Sequence, residues 1–280
     1  MSHVWFNGAV SEGAILLDPR DRGLTLGDGL FETVLVVNGA ALWINMHLAR
    51  MEASAQELGL PFNRAATDAA LTQLLQYASA GHDVLRVTLT RGPTQRGLAG
   101  NGPGTLLMTL DRFDPQLMFR PVSLLTSMIR RGMASPAARL KTLSYADNVM
   151  AAREAASRAS DDALMLNSAE RVACSTVANI FFLKGRKLVT PSRDQAILTG
   201  VMRQAVLAVA RHLGMTSEER AVKPAELLNA DAVFLTNSLR FICPVKSLDQ
   251  QPLAMADLTQ LIDGLCESAR LQCSRDPRLL

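Results

Sequence analysis

The stretch RLKTLSYADNVMAAREA, residues 139–155, decides how this chain is read. From Ala146 onward it is alanine-rich and suited to a helix. Ser144 and Asp147 have the spacing of a capping box, so the helix is expected to open at Ser144. That leaves Lys141 in the preceding loop, three residues upstream. A loop lysine is most often simply solvated. Where such a lysine is desolvated, burial disfavours the ammonium, lowers its pKa and leaves an amine able to attack a carbonyl. Lys141 alone does not choose between these readings; the rest of the chain bears on them.

Upstream, VWFNGAV and LFETVLVVNGAALWI each place an Asn-Gly pair between β-rich runs, the mark of a tight hairpin. NMHLARMEASAQELGL then reads as a helix, with Leu48, Met51, Ala55 and Leu58 as its apolar stripe and Gly59 as its stop. A second helix is expected through DAALTQLLQYASAG. The strands VLRVTLT and TLLMTLDRF flank the glycine-rich loop RGPTQRGLAGNGPG. A break falls in DRFDPQLMFRP. Beyond it VSLLTSMI, ALMLN, NIFFL, KLVTP and DAVFLT read as strands. TGVMRQAVLAVARHLG reads as a helix with Thr199 as N-cap and Gly214 as stop, and MADLTQLIDGLCESARL as a C-terminal helix. Strands and helices come in blocks without regular βαβ alternation. This predicts an α+β chain of two domains, 1–115 and 121–280, joined by a linker at 112–120.

Composition removes several classes of function. A net charge of +3 spread along 280 residues offers no polybasic run for nucleic acid or a membrane surface, and 5% aromatic content offers few stacking platforms. No apolar run reaches the roughly 18–20 residues of a membrane span. MSHVWFNGAV lacks the charged lead and apolar core of a signal peptide, so a cytoplasmic protein is expected. Cys174, Cys243, Cys266 and Cys273 show no CxxC spacing, and His3, His47, His82 and His212 form no ligand pair, so neither a disulfide nor a metal site is expected. His47 and His212 fall on amphipathic helices and read as surface or boundary residues.

Three further segments bear on Lys141. AILTGVMRQAVL starts a helix whose free N–H groups at Val201 and Met202 form an anion site. FLTNSLRFICPV ends a strand in Asn237 and Ser238, which add N–H and hydroxyl donors. Arg50, on the first helix, offers a guanidinium suited to phosphate. Each alone is more often a cap, a strand end or a solvated arginine. In order along the chain, GDGLFETV, HLARMEASAQELGL, RGPTQRGL, KTLSYADNVMAAREA, STVANIFF, TGVMRQAV and TNSLRFICPV resemble the class IV aminotransferases, the fold-type IV pyridoxal-phosphate (PLP) enzymes.

The resemblance implies a two-domain fold of the D-amino acid aminotransferase kind, a homodimer, and PLP at the domain interface. It implies that Lys141 forms a Schiff base with PLP. It further implies that Arg50, Ser238 and the N–H groups of Val201 and Met202 hold the phosphate, and that Leu198 packs on the ring. RGPTQRGL, GVMR and TNSL are most similar to 4-amino-4-deoxychorismate lyases of folate biosynthesis, which release pyruvate and form 4-aminobenzoate. Ala146 stands where branched-chain aminotransferases typically carry a tyrosine. Arg96, with Arg91 and Arg240, is expected to hold substrate carboxylates. The alternative is an aminotransferase acting on D-amino acids, branched-chain amino acids or amines. Cys174 departs from the family pattern: it aligns with a glutamate that partners the pyridine nitrogen. A thiol is a weak donor, and Glu170, four residues away, is not expected to replace it. A PLP-binding protein of weak catalysis is the reading this departure suggests.

Overall fold

The structure is a computed structural model and describes residues 2–279. Two compact units make up the chain. One holds the residues up to Asp114, together with Leu140–Ser144 and the segment from Ser268 onward; the other holds Pro115–Arg139 and Tyr145–Glu267. The first change of unit falls between Asp114 and Pro115, and the lysine loop and the residues from Ser268 onward belong to the N-terminal unit. Local strand pairing explains the first of these transfers, as shown below.

The first unit contains β1 (His3–Phe6), β2 (Ala9–Glu12), α1 (Arg22–Leu26), β3 (Gly29–Val37), β4 (Ala40–Ala41), α2 (Ile44–Leu58), α3 (Arg64–Leu75), β5 (His82–Thr90) and β6 (Thr105–Arg112). Its strands form one antiparallel sheet in the order β2-β1-β6-β5-β3-β4. Both Asn-Gly pairs are two-residue hairpin turns: Phe6 faces Ala9, Val37 faces Ala40, and all four turn residues have positive φ. Only such residues turn the chain in step with the sheet's twist. One face of β3 and β5 buries Leu30, Val34, Val36, Leu85 and Val87 against Met51 and Ala55 of α2 and Ala70 and Leu74 of α3. The α2 stripe is as the spacing predicts, and Gly59 closes that helix at φ 62°. His47 departs from expectation. It is fully buried, because it lies one turn from Met51 on the face that meets β3 and finds a polar partner there.

The second unit contains β7 (Val122–Arg131), α4 (Pro136–Arg139), α5 (Ala146–Ser157), β8 (Asp162–Asn167), β9 (Val172–Ser175), β10 (Asn179–Lys184), β11 (Lys187–Pro191), α6 (Val201–His212), β12 (Thr216–Arg220), α7 (Pro224–Leu228), β13 (Ala232–Asn237), β14 (Phe241–Leu248) and β15 (Gln251–Pro252); α8 (Thr259–Cys273) closes the chain. Its mixed sheet runs β12-β11-β10-β13-β14-β7-β8-β9, and a bridge from Cys174 to Asn179 returns β9 to β10. The strands from β10 round to β9 therefore close on themselves around Leu124, Leu164, Val172, Ile180, Val233 and Val245. Two helix starts differ from the sequence reading. The cap of α5 is Tyr145 and not Ser144, and the cap of α6 is Gly200 and not Thr199; neither makes a side-chain capping bond. Ser144 remains in the strand-like segment that carries Lys141, one residue short of the helix.

That segment is held by backbone pairing. Phe31 N–H donates to the Lys141 carbonyl at 2.9 Å and Leu143 N–H to the Gly29 carbonyl at 2.9 Å, with Leu30 bridged to Thr142. Gly29 is required for this approach: a Cβ there would lie 2.5 Å from the Leu89 carbonyl oxygen and 2.7 Å from Leu143 Cδ1. A Gly29→Ala variant is expected to lose about 1–3 kcal/mol of stability through overpacking against a fixed carbonyl, read as a lower urea midpoint with unchanged slope.

Candidate active site

The pairing of 141–143 with β3 brings Lys141 to Phe31, with its Nζ 4.1 Å from the ring centroid. The Phe31 ring is buried, so the ammonium sits against an apolar surface and away from bulk water. Desolvation lowers the Lys141 pKa from 10.5 to about 8; the Glu32 charge pulls it up, and Arg50 and Arg86 push it down. An appreciable share of this amine is therefore neutral near pH 7–8, the form able to attack a carbonyl.

Next to Phe31 in sequence, but on the opposite face of β3, Glu32 points to α2. Its carboxylate accepts from His47 Nδ1 at 2.7 Å and from Arg50 Nε at 2.8 Å, and its side chain is 1% exposed. Burial alone would raise the Glu32 pKa, but the charge of Arg50 and the hydrogen bonds from His47 and Arg50 outweigh it and bring it to about 2. Burial lowers the His47 pKa against the opposing pull of Glu32. The His47 Nδ1–H donates a hydrogen bond to the Glu32 carboxylate, and its buried Nε2 has no hydrogen-bond partner. Arg50, expected as a phosphate ligand, is oriented by this carboxylate. Sequence reading missed Glu32 because an isolated glutamate in LFETVLVV looks like a solvent-facing position of the strand. His47 and Arg50, at i and i+3 on α2, were the available signal for an acid opposite them.

The second unit gathers several backbone and side-chain donors around the start of α6. α6 begins at Val201 without a side-chain cap, so the N–H groups of its first turn, Val201 and Met202 included, are not satisfied within the helix. Asn179 fixes the approach: its Nδ2 donates to the Leu198 carbonyl at 2.8 Å and its Oδ1 accepts from Gly200 N–H at 3.1 Å. Directly across the β10–β13 ladder stands Thr236, whose buried hydroxyl has no partner. Ser238 follows in the turn where Asn237 Oδ1 accepts from the N–H groups of Leu239 and Arg240. Leu198 and Ser238 are half-buried. Cys174 lies at the seam of β8, β9 and β10, packed with Ala173 and Ile197, and burial raises its thiol pKa. Glu170 is turned away, in an exposed ion pair with Arg130 at 2.7 Å.

The three arginines expected at the substrate have different surroundings. Arg91 donates to Asp28 at 2.7 Å and to the Gly59 and Leu58 carbonyls, so most of its donors brace the base of the 91–104 loop. Arg22 completes that brace: it bonds Asp28 and the carbonyls of Gly97 and Leu98. Arg96, between these anchors, is exposed. Arg240 is half-buried and lines a small cavity in the second unit with Asp162, Thr236, Asn237 and Cys243.

Residues 29–248 match the family described as amino-transferase class IV. The chain belongs to the class IV aminotransferases. Among its relatives is a D-alanine aminotransferase of Bacillus licheniformis, 30% identical over 89% of each chain. A solved structure of a putative 4-amino-4-deoxychorismate lyase from Legionella pneumophila is 31% identical with a TM-score of 0.86, covering 91% of this chain and 96% of that one. The PLP-bound form of a hypothetical aminotransferase from Mycobacterium tuberculosis is 25% identical with a TM-score of 0.85, over 95% and 98%. The α+β fold is that of class IV aminotransferase structures, and membership makes this chain a PLP-dependent lyase or aminotransferase. Among the described residues no helix is long and apolar enough to cross a membrane, and no group of His, Cys, Asp and Glu side chains suits a metal ion.

Two outcomes follow from the charges. Labelling of Lys141 by an amine-reactive probe in the cofactor-free protein is expected to titrate with a midpoint near 8, which peptide mapping across pH 6–11 measures; a midpoint near 10.5 contradicts the desolvated environment. Glu32 has its pKa depressed in the folded state, so its stabilisation is present above about 4.5 and is lost as pH falls toward 2. Glu32→Ala leaves Arg50 without its buried carboxylate partner and is expected to cost about 3–5 kcal/mol. Its urea-unfolding curve is expected to depend less on pH below 5 than that of the wild type.

Proposed function

We propose that this class IV aminotransferase homologue binds PLP through Lys141 and acts as a lyase of the 4-amino-4-deoxychorismate type. The observation that carries the reading is the environment of Lys141: a backbone-pinned lysine whose amine is desolvated against Phe31 and held to a pKa of about 8. The other residues suit the cofactor's groups. The uncapped start of α6 and the orphaned Thr236 hydroxyl are donors awaiting an anion. In this reading the N–H groups of Val201 and Met202, with Ser238 and Arg50, hold the phosphate, and Leu198 packs against the ring. Lys141 is the attachment point for the aldehyde.

When bound, PLP draws electron density from the carbon that bears the substrate amine. The chain's part is then proton handling and positioning. Lys141 takes the proton from that carbon. The released electron pair drives cleavage of the neighbouring ether bond, and enolpyruvate leaves and becomes pyruvate on gaining a proton at its methylene. The ring becomes aromatic, and Arg96, with Arg91 and Arg240, is the candidate for holding the substrate's carboxylates.

Cys174 supports elimination over transfer. A neutral thiol in an apolar seam is a poor partner for a protonated pyridine nitrogen, so the electron demand this protein can support is reduced. Elimination suits this because aromatisation of the product supplies driving force. The 30% identical D-alanine aminotransferase supports the second reading, amino-group transfer with Lys141 moving the same proton.

Holoenzyme is expected to show a visible absorption band that Lys141→Ala lacks. With 4-amino-4-deoxychorismate and no acceptor, the lyase keeps the band and forms 4-aminobenzoate with equimolar pyruvate. Loss of the band on adding D-alanine, with no 4-aminobenzoate formed, assigns transfer instead. Cys174→Glu is expected to shift the band and speed the donor half-reaction by on the order of a hundredfold; an unmoved spectrum removes Cys174 from the ring nitrogen.

A further inference from the structure

We infer that Asp28 is a positioning residue for the reaction: through Arg22 and Arg91 it fixes the main chain that carries Arg96, and so sets where that guanidinium meets a substrate carboxylate. Asp28 Oδ2 accepts from Arg22 Nε at 2.8 Å and from Arg91 Nε at 2.7 Å, and its Oδ1 accepts from Arg91 Nη2 at 3.2 Å. Each guanidinium also holds main chain. Arg22 donates to the Gly97 carbonyl at 2.6 Å and to the Leu98 carbonyl at 2.7 Å, the two residues that follow Arg96. Arg91 donates to the Leu58 carbonyl at 2.9 Å and to the Gly59 carbonyl at 2.8 Å, where α2 ends. The tip of the 91–104 loop is thereby tied to a helix end through one carboxylate.

Because the hold is on carbonyls, the side chains of Arg96 and Leu98 stay exposed and a ligand can reach them while the main chain is fixed. The neck of the loop is closed separately. Gly104 N–H donates to the Arg91 carbonyl at 3.1 Å, and Asp21 Oδ2 accepts from the hydroxyls of Thr90 at 2.9 Å and Thr105 at 2.8 Å. Loss of the Asp28 charge therefore frees the tip and leaves the neck shut. Burial alone would raise the Asp28 pKa, but the hydrogen bonds and charges of Arg91 and Arg22 outweigh it and hold it below its ordinary value, so the carboxylate is charged at neutral pH. Without that charge, two largely buried guanidiniums that share one oxygen are left to repel, and the network fails as a unit. An arginine held in place before the substrate arrives loses less freedom on binding, which is the source of the gain in affinity.

The inference rests on the reading above that Arg96 holds a substrate carboxylate, and two measurements on holoenzyme that need no turnover test it. The first is tryptic cleavage at Arg96–Gly97, mapped by mass spectrometry, with the exposed Arg186–Lys187 bond as internal reference. Asp28→Asn is expected to speed cleavage after Arg96 by about tenfold and to leave the reference unchanged; equal rates at Arg96 overturn the inference. The second is pyruvate binding by isothermal titration in wild type, Asp28→Asn, Arg96→Leu and the double variant. Wild type is expected to bind saturably and each single variant about tenfold more weakly. The double variant is expected to match Arg96→Leu, since a residue acting through Arg96 then has nothing left to position. Losses that multiply in the double variant place the action of Asp28 elsewhere and overturn the inference, as do wild-type affinity in either single variant and the lack of saturable binding to wild type. Asp28→Glu keeps the charge and is expected to recover part of both effects. In whichever donor is turned over, D-alanine or 4-amino-4-deoxychorismate, KM is expected to rise about tenfold in Asp28→Asn with a smaller change in kcat. If Asp28→Asn fails to load the cofactor, Arg22→Leu, which releases Gly97 and Leu98 and leaves Arg91 on Asp28, is read in its place with the same outcomes. The expected pattern of pyruvate binding in an enzyme that turns over neither donor retains the positioning role and defeats the functional reading.

Discussion

The constraint on which the site depends is the short backbone pairing between Gly29–Phe31 and Lys141–Leu143. Two hydrogen bonds tie residues more than a hundred positions apart. They deliver a lysine to the ring of Phe31, where a loop lysine would otherwise sit in water. Gly29 permits the approach because a Cβ there would collide with Leu143 on one strand and with the Leu89 carbonyl on the other. The chemistry then follows from elementary electrostatics: an ammonium against an apolar ring is disfavoured, and the neutral amine gains.

β3 serves two purposes through its alternation. Leu30 and Val34 bury toward α2 and α3, and Glu32 shares that face as the exception. A carboxylate there is tolerable because Arg50 neutralises it and His47 and Arg50 both hydrogen-bond it, leaving His47 Nε2 without a partner. Phe31 points the other way and meets Lys141 and Arg86. A single strand thereby orients the expected phosphate-binding arginine on one side and frames the reactive amine on the other. Glu32 is also the charge that partly restores the basicity of Lys141, so the strand sets both the position and the proton affinity of that amine.

In the second unit, closure of the sheet by the Cys174–Asn179 bridge has two consequences. It places Asn179 where both its amide atoms shape the approach to α6, leaving the first-turn N–H groups of that helix available. It also buries Cys174, and that burial favours the neutral thiol.

The sequence by itself determined the hairpins at Asn7-Gly8 and Asn38-Gly39, the α2 stripe and the prominence of Lys141, Val201 and Met202. These depend on neighbours in the chain: turn residues with positive φ, a 3.6-residue period, an ordered series of motifs. The cap assignments at Ser144 and Thr199 failed because a helix start is also set by what the preceding residues pair with, here β3 and Asn179. Glu32, the burial of His47 and the place of Arg86 were decided only by tertiary structure. Whether a lone charged residue in a strand is solvated or partnered depends on what the opposite helix and the next strand present to it. Those distances exist only after the sheet has formed.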